Sequence, residues 1–176
     1  MFENLYTFFS INKSKSELKS VNEFIEFYQG KSFKNGLFRL HNKNCVEKWN
    51  EIVTDAFPQA KRFIECFGYD WLGRQYAVYK GTNTVYIFEP GTGYALNTEV
   101  TLEDFLLNEI TNDDGAALCF DFFKKWKKYN SDEIGLDDCV GYKVPLFLGG
   151  DDEISNLEIT DMEVYWGICG QLITKC

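Results

Sequence analysis

The sequence predicts an α+β protein, with a mainly antiparallel sheet and helices packed around it. Three patterns carry that class. Residues 16–28 and 44–56 set apolar side chains at helical spacing, and residues 62–89 change to aromatic and β-branched runs broken by turn-forming residues. Helical spacing then returns beyond residue 101.

In chain order, residues 16–28 put Leu18, Val21, Phe24, Ile25 and Tyr28 on one face of an amphipathic helix that Gly30 ends. Residues 36–40 read as a short strand. Residues 44–56 predict a second helix with Cys45, Trp49, Ile52 and Val53 turned inward. Strands are expected over 62–69, 71–79 and 84–89, separated by Gly68-Tyr69-Asp70 and Gly81-Thr82-Asn83 as hairpin turns. Pro90-Gly91-Thr92-Gly93 makes another turn. Thr101 is placed to cap a helix over 102–109, where Glu103 and Asp104 complement the helix dipole. Asp113 or Asp114 is placed to cap residues 116–129, with Leu118, Phe122 and Trp126 recurring every four residues. An apolar segment at 144–148, an acidic loop at 149–155 and a helix at 161–173, capped by Thr160 or Asp161, complete the chain.

The 176 residues suit one compact domain, or two small lobes sharing a core. A hydrophobic fraction of 45%, with 16 Phe, 10 Tyr and 4 Trp, excludes a disordered acidic tail. The net charge of −9 is unevenly spread: residues 1–88 carry +3 and residues 89–176 carry −12. Phosphate binding needs clustered cations, so general nucleic-acid coating of the −12 half is not expected. A cationic protein partner fits the same charge.

The N-terminal run Met-Phe-Glu-Asn-Leu-Tyr-Thr-Phe-Phe has an acid where a secretory signal needs basic residues, and no stretch approaches ~18 apolar residues, so a cytoplasmic protein without a membrane span is expected. Cys45, Cys66, Cys119, Cys139, Cys169 and Cys176 are scattered, as reduced thiols acting as small apolar residues would be.

Catalytic patterns are weak throughout. His41 is the single histidine, and its place after a strand suggests a surface or capping imidazole. His41 and Cys45 have helix-compatible spacing but no second ligand pair, so no metal site is expected. Asp113-Asp114, Asp137-Asp138 and Asp151-Asp152-Glu153 lack the spacing of a calcium loop and do not define a glycosidase pair. Gly91-Thr92-Gly93 lacks the third glycine of a dinucleotide fingerprint. The Lys124-Lys125-Trp126-Lys127-Lys128 run reads as the solvated flank of a helix, because Trp126 falls on the apolar stripe with Leu118 and Phe122. No catalytic residue and no cofactor is predicted.

Four segments resemble the core of the type VI secretion DNase-immunity family. They are Phe67-Gly68-Tyr69-Asp70-Trp71-Leu72-Gly73-Arg74-Gln75-Tyr76, Val85-Tyr86-Ile87-Phe88-Glu89-Pro90-Gly91-Thr92-Gly93, Cys139-Val140-Gly141-Tyr142-Lys143-Val144-Pro145-Leu146-Phe147-Leu148-Gly149-Gly150 and Asp161-Met162-Glu163-Val164-Tyr165-Trp166-Gly167-Ile168-Cys169-Gly170-Gln171. Phe24-Ile25-Glu26-Phe27-Tyr28 followed by Asn35-Gly36-Leu37-Phe38-Arg39-Leu40 resembles the GAD-like N-terminal region of that family. The resemblance implies a GAD-like region over 1–60 and an immunity-type α+β region over 61–176 in one unit. It further implies a cytoplasmic, non-enzymatic protein that binds a cognate toxin, often a nuclease, and blocks it stoichiometrically. Because a nuclease must attract phosphate, its face is basic. Asp113, Asp114, Asp151, Asp152 and Glu153 are the expected acidic contacts, with Trp71 as an exposed aromatic anchor. Two other readings are a nucleic-acid-binding regulator using the +3 half and a hydrolase working through paired carboxylates.

Overall fold

A computed structural model describes residues 1–12 and 18–175, apart from the side chain of Asp113. The aromatic runs in the middle of the chain build a six-stranded antiparallel sheet in sequential order: β1 (Ser32–Phe33), β2 (Phe38–Leu40), β3 (Ile64–Asp70), β4 (Gln75–Tyr79), β5 (Thr84–Glu89) and β6 (Tyr94–Thr101). A second sheet pairs β7 (Asp138–Tyr142) with β8 (Leu157–Asp161), also antiparallel. The fold is therefore α+β with antiparallel sheets.

Helices cover both faces of the large sheet. On one face α1 (Glu3–Phe9), α2 (Val21–Tyr28), α4 (Leu102–Leu107) and α5 (Phe120–Tyr129) enclose Phe38, Phe67, Tyr76, Val85 and Ile87. On the other face α3 (Val46–Ala56) and α6 (Met162–Ile173) enclose Ile64, Cys66, Tyr69, Ala77 and Phe88. Burial on both faces explains why β3 to β5 read as continuous aromatic and aliphatic runs rather than as polar–apolar alternation. Strands preceding residue 60 pair with strands following it, through Phe38 opposite Asp70 and Leu40 opposite Gly68.

Several sequence expectations are corrected. The first predicted helix, expected from residue 16, is observed from Val21, where Ser20 accepts from the Glu23 backbone N–H at 3.2 Å; residues 16 and 17 of that expectation lie outside the described residues. Gly68, Tyr69 and Asp70 are strand rather than turn. The reversal falls on residues 71–74, because the buried Asp70 carboxylate accepts from the backbone N–H groups of Leu72 (3.0 Å) and Arg74 (3.1 Å). Strands β6, β7 and β8 were absent from the element prediction. Cys45 is exposed, since residues 43–45 form a single tight turn ahead of α3. The helix expected over 116–129 is broken at Cys119, whose φ of 51° is left-handed, and α5 starts after it without a side-chain cap. Thr101 and Asp161 cap α4 and α6 as their positions predict.

Candidate functional site

The residues able to do chemistry are mostly committed to the interior. Arg39 is fully buried, and its guanidinium donates to the backbone oxygens of Gly135 (2.5 Å), Asp138 (2.7 Å) and Asp70 (2.9 Å) while lying 4.4 Å from the Tyr69 ring centroid. Arg74 donates to Asp70 at 2.6 Å, to Glu89 at 3.0 Å and to the Ala117 backbone oxygen at 2.8 Å. Burial acts to lower the Arg74 pKa, but the adjacent Asp70 carboxylate overrides it and holds the guanidinium well above its ordinary value. Tyr76 adds its hydroxyl to Asp70 at 3.0 Å. This network ties the loop at 134–138 and the turn at 116–118 onto the sheet. The i, i+4 spacing of Asp70 and Arg74 was in the sequence, but the β-turn that brings them together was not read.

His41 corrects the surface expectation. It is 4% exposed, stacks near Tyr69 and Trp49, and its Nε2 lies 2.7 Å from Gln75 Oε1. The Gln75 amide nitrogen is directed to the Met162 sulfur, so the amide oxygen accepts and His41 Nε2 carries the proton. Burial, opposed by the Gln75 hydrogen bond, lowers the His41 pKa to about 4. The imidazole is thus a neutral core group. Trp71 is likewise no surface anchor: it is 0% exposed, packs against Phe122, Phe123 and Trp126, and donates its indole N–H to the Leu118 backbone oxygen at 3.0 Å. A residue at the first position of a tight turn between two central strands points into the core. Trp126 is 2% exposed, which leaves the adjacent lysines as the solvated flank of α5.

The acidic residues, by contrast, lie outside. Asp114 closes a 3-10 turn over Glu109–Asp114 and pairs with Lys124 at 3.1 Å, its side chain 72% exposed. The side chain of Asp113, a predicted contact, lies outside the described residues. Asp151, Asp152 and Glu153 are exposed in the loop between β7 and β8. That loop is held, not loose. Asn156 donates to the backbone oxygens of Val144 (2.8 Å) and Asp151 (2.9 Å) and accepts from the Val144 N–H, while Tyr142 donates to Asp152 at 2.6 Å. Among the described residues, no Lys or Arg pairs with Asp151, Asp152 or Glu153. The turn carrying Asp114 lies against α5. Asp114 reaches Lys124 on that helix, and the Cys119 thiol just before it, raised chiefly by burial, also feels the Asp152 charge. Asp151, Asp152 and Glu153 thus stand without a Lys or Arg partner among the described residues on a hydrogen-bonded loop, which suits recognition of cations.

Fold and site together define an α+β protein whose internal ions are structural and whose free charge forms an acidic outer face. Residues 103–173 match the model of the family described as T6SS immunity protein Tdi1, C-terminal, which supports a type VI secretion immunity family for that part of the chain. The chain is also similar to the crystal structure of Atu4351 from Agrobacterium tumefaciens, with a TM-score of 0.67 and 17% identity over 97% of this chain and 89% of that chain. At that identity the likeness shows a shared fold. No curated protein matches the chain. The family match covers the acidic turn, α5, the acidic loop and α6; the GAD-like reading of the N-terminal part rests on the sequence resemblance alone.

Proposed function

We propose that the chain is an immunity protein that binds a cognate, cationic nuclease toxin in the bacterial cytoplasm and neutralises it stoichiometrically, without catalysis. The observation that carries this reading is the coincidence of the immunity-family match at 103–173 with the −12 half of the chain. A nuclease face that attracts DNA phosphate also attracts a fixed array of carboxylates, and occupying that face excludes the substrate. Asp113, Asp114, Asp151, Asp152 and Glu153 supply part of that array. Residues 1–60 act as a GAD-like region folded together with 61–176, the sheet pairing across the two. No helix among the described residues is long and apolar enough to cross a membrane, which is compatible with a partner met in an aqueous compartment.

The test is co-expression with the toxin encoded beside this chain's gene, scoring survival and the integrity of chromosomal DNA. Protection that depends on equimolar expression supports the reading. Cell death with intact expression of both proteins, or protection from a toxin that leaves nucleic acid untouched, overturns its general or its nuclease part respectively.

A further inference from the structure

Resting on the immunity reading, we propose that the toxin docks by adding an extended cationic segment to the open edge of β6. This strand is the last of the sheet, and among the described residues no strand pairs with its outer side. Its first half stands in solvent: Tyr94 is 73% and Leu96 53% exposed, and their neighbours Ala95 and Asn97 are exposed as well. The register against β5 slips between Thr84 and Tyr86, and Glu99 opposite that slip has a φ of 63°. The irregularity falls beyond Asn97, so Tyr94 to Asn97 is the regularly paired part of this edge strand. Unpaired edges of this kind are sites where another chain pairs unless they are blunted or covered. The opposite edge, β1, has two residues only.

Grooves lie on both sides of this edge. One of about 340 Å³ is bordered by Leu96, Asn97, Glu109, Asn112 and Ala117. The other, about 470 Å³, is bordered by Tyr94, Ala95, Phe57, Pro58 and Ile173. An added strand sends alternate side chains to opposite faces, so one set enters each groove while the backbone hydrogen bonds supply register. Charge selects the occupant. From residue 81 to 123 the chain has no Lys or Arg; Glu109 borders the first groove and Glu99 is exposed on β6 itself, whereas Glu89, Asp114 and Asp121 are already paired with Arg74 and Lys124. A neutral or acidic strand meets repulsion or nothing there; a strand bearing Lys or Arg meets complementary potential.

The experiment measures binding of the toxin encoded beside this chain's gene to the full chain and to Leu96→Lys, Leu96→Glu and Val164→Lys, alongside amide hydrogen exchange of the complex. Val164 is exposed on α6 and serves as a lysine placed off the edge. The expected result is tight wild-type binding and a loss on the order of 30-fold for Leu96→Lys, with smaller losses for Leu96→Glu and Val164→Lys. Exchange at residues 94–97 slows in the complex. Wild-type binding with Leu96→Lys unchanged and no slowing at 94–97 overturns the edge proposal but leaves the immunity reading standing. Absence of wild-type binding overturns both. Should Leu96→Lys fail to fold, the exchange result on the wild-type complex decides alone.

Discussion

Asp70 and Arg74, four residues apart across the turn between β3 and β4, form an ion pair at 2.6 Å in which the carboxylate is 0% exposed and the guanidinium side chain 10%. Every acceptor site of that carboxylate is engaged, by two backbone N–H groups, the Arg74 side chain and the Tyr76 hydroxyl. The pair then reaches outward: Arg74 holds the Ala117 backbone oxygen and so anchors the turn that follows the acidic Glu109–Asp114 segment. An internal ionic centre therefore anchors the turn beside the acidic Glu109–Asp114 segment.

Removing one member of this pair leaves the other charge buried without its partner. Asp70→Asn or Arg74→Met alone is expected to destabilise the protein by about 3–5 kcal/mol in urea unfolding. The double variant Asp70→Asn with Arg74→Met should cost less than the sum, because the two substitutions remove the same interaction. Additive losses would show that the pair is not coupled.

His41 makes stability pH-dependent in a defined direction. Its folded pKa of about 4 lies below the ordinary value of 6.5, so the unfolded chain binds the extra proton between those limits. Stability from this group is complete above about pH 6.5 and falls as pH drops toward 4. The loss between pH 7 and pH 5 is about 2 kcal/mol by linkage. A His41→Gln variant should be less stable at pH 7 yet show a flatter profile over that interval. An equally steep profile in the variant would assign the dependence to other groups.

Gly68 sits where β3 slips register against β4, and a Cβ there would lie 2.8 Å from both the Arg39 backbone oxygen and the Phe38 ring. Since one neighbour is main chain and the other a buried ring, neither yields freely. Gly68→Ala should cost about 1–3 kcal/mol in thermal or urea unfolding. A neutral substitution would mean that the strand pairing there adapts.

The acidic loop should behave in the opposite way. Asp151→Asn with Asp152→Asn removes two exposed charges, and the amide oxygen at 152 can still accept from Tyr142. Stability is expected to stay within about 0.5 kcal/mol of the parent. Toxin association should slow by roughly tenfold at low salt, with dissociation less affected. A large stability loss would mark these carboxylates as structural.

The parts of the fold legible in the sequence were those set by local chemistry: the Thr101 and Asp161 caps, the β4–β5 hairpin and the inward Trp126 of α5. What escaped depended on tertiary packing. Strand β6 lacks an apolar run because most of it is exposed, and β7 and β8 are only five residues each, with Gly141 interrupting β7. Trp71 and His41 were assigned to the surface from their loop-adjacent positions, yet the turn beside Trp71 and the strand end beside His41 both point inward. Asp114, Asp151, Asp152 and Glu153 are exposed, as carboxylates in polar loop segments are expected to be. The groove-flanked edge was invisible, since it joins residues 56–59, 94–98, 109–117 and 173–174.

The central claim is that this acidic face neutralises a cationic toxin by occupying it. Titrating the chain into the purified toxin encoded beside its gene, while following nuclease activity at low and high ionic strength, tests it most directly. The account predicts that activity falls linearly to zero at one chain per toxin, and that the rate of inhibition drops steeply as salt rises. Full toxin activity at molar excess of the chain, or inhibition whose rate is indifferent to salt, would contradict it.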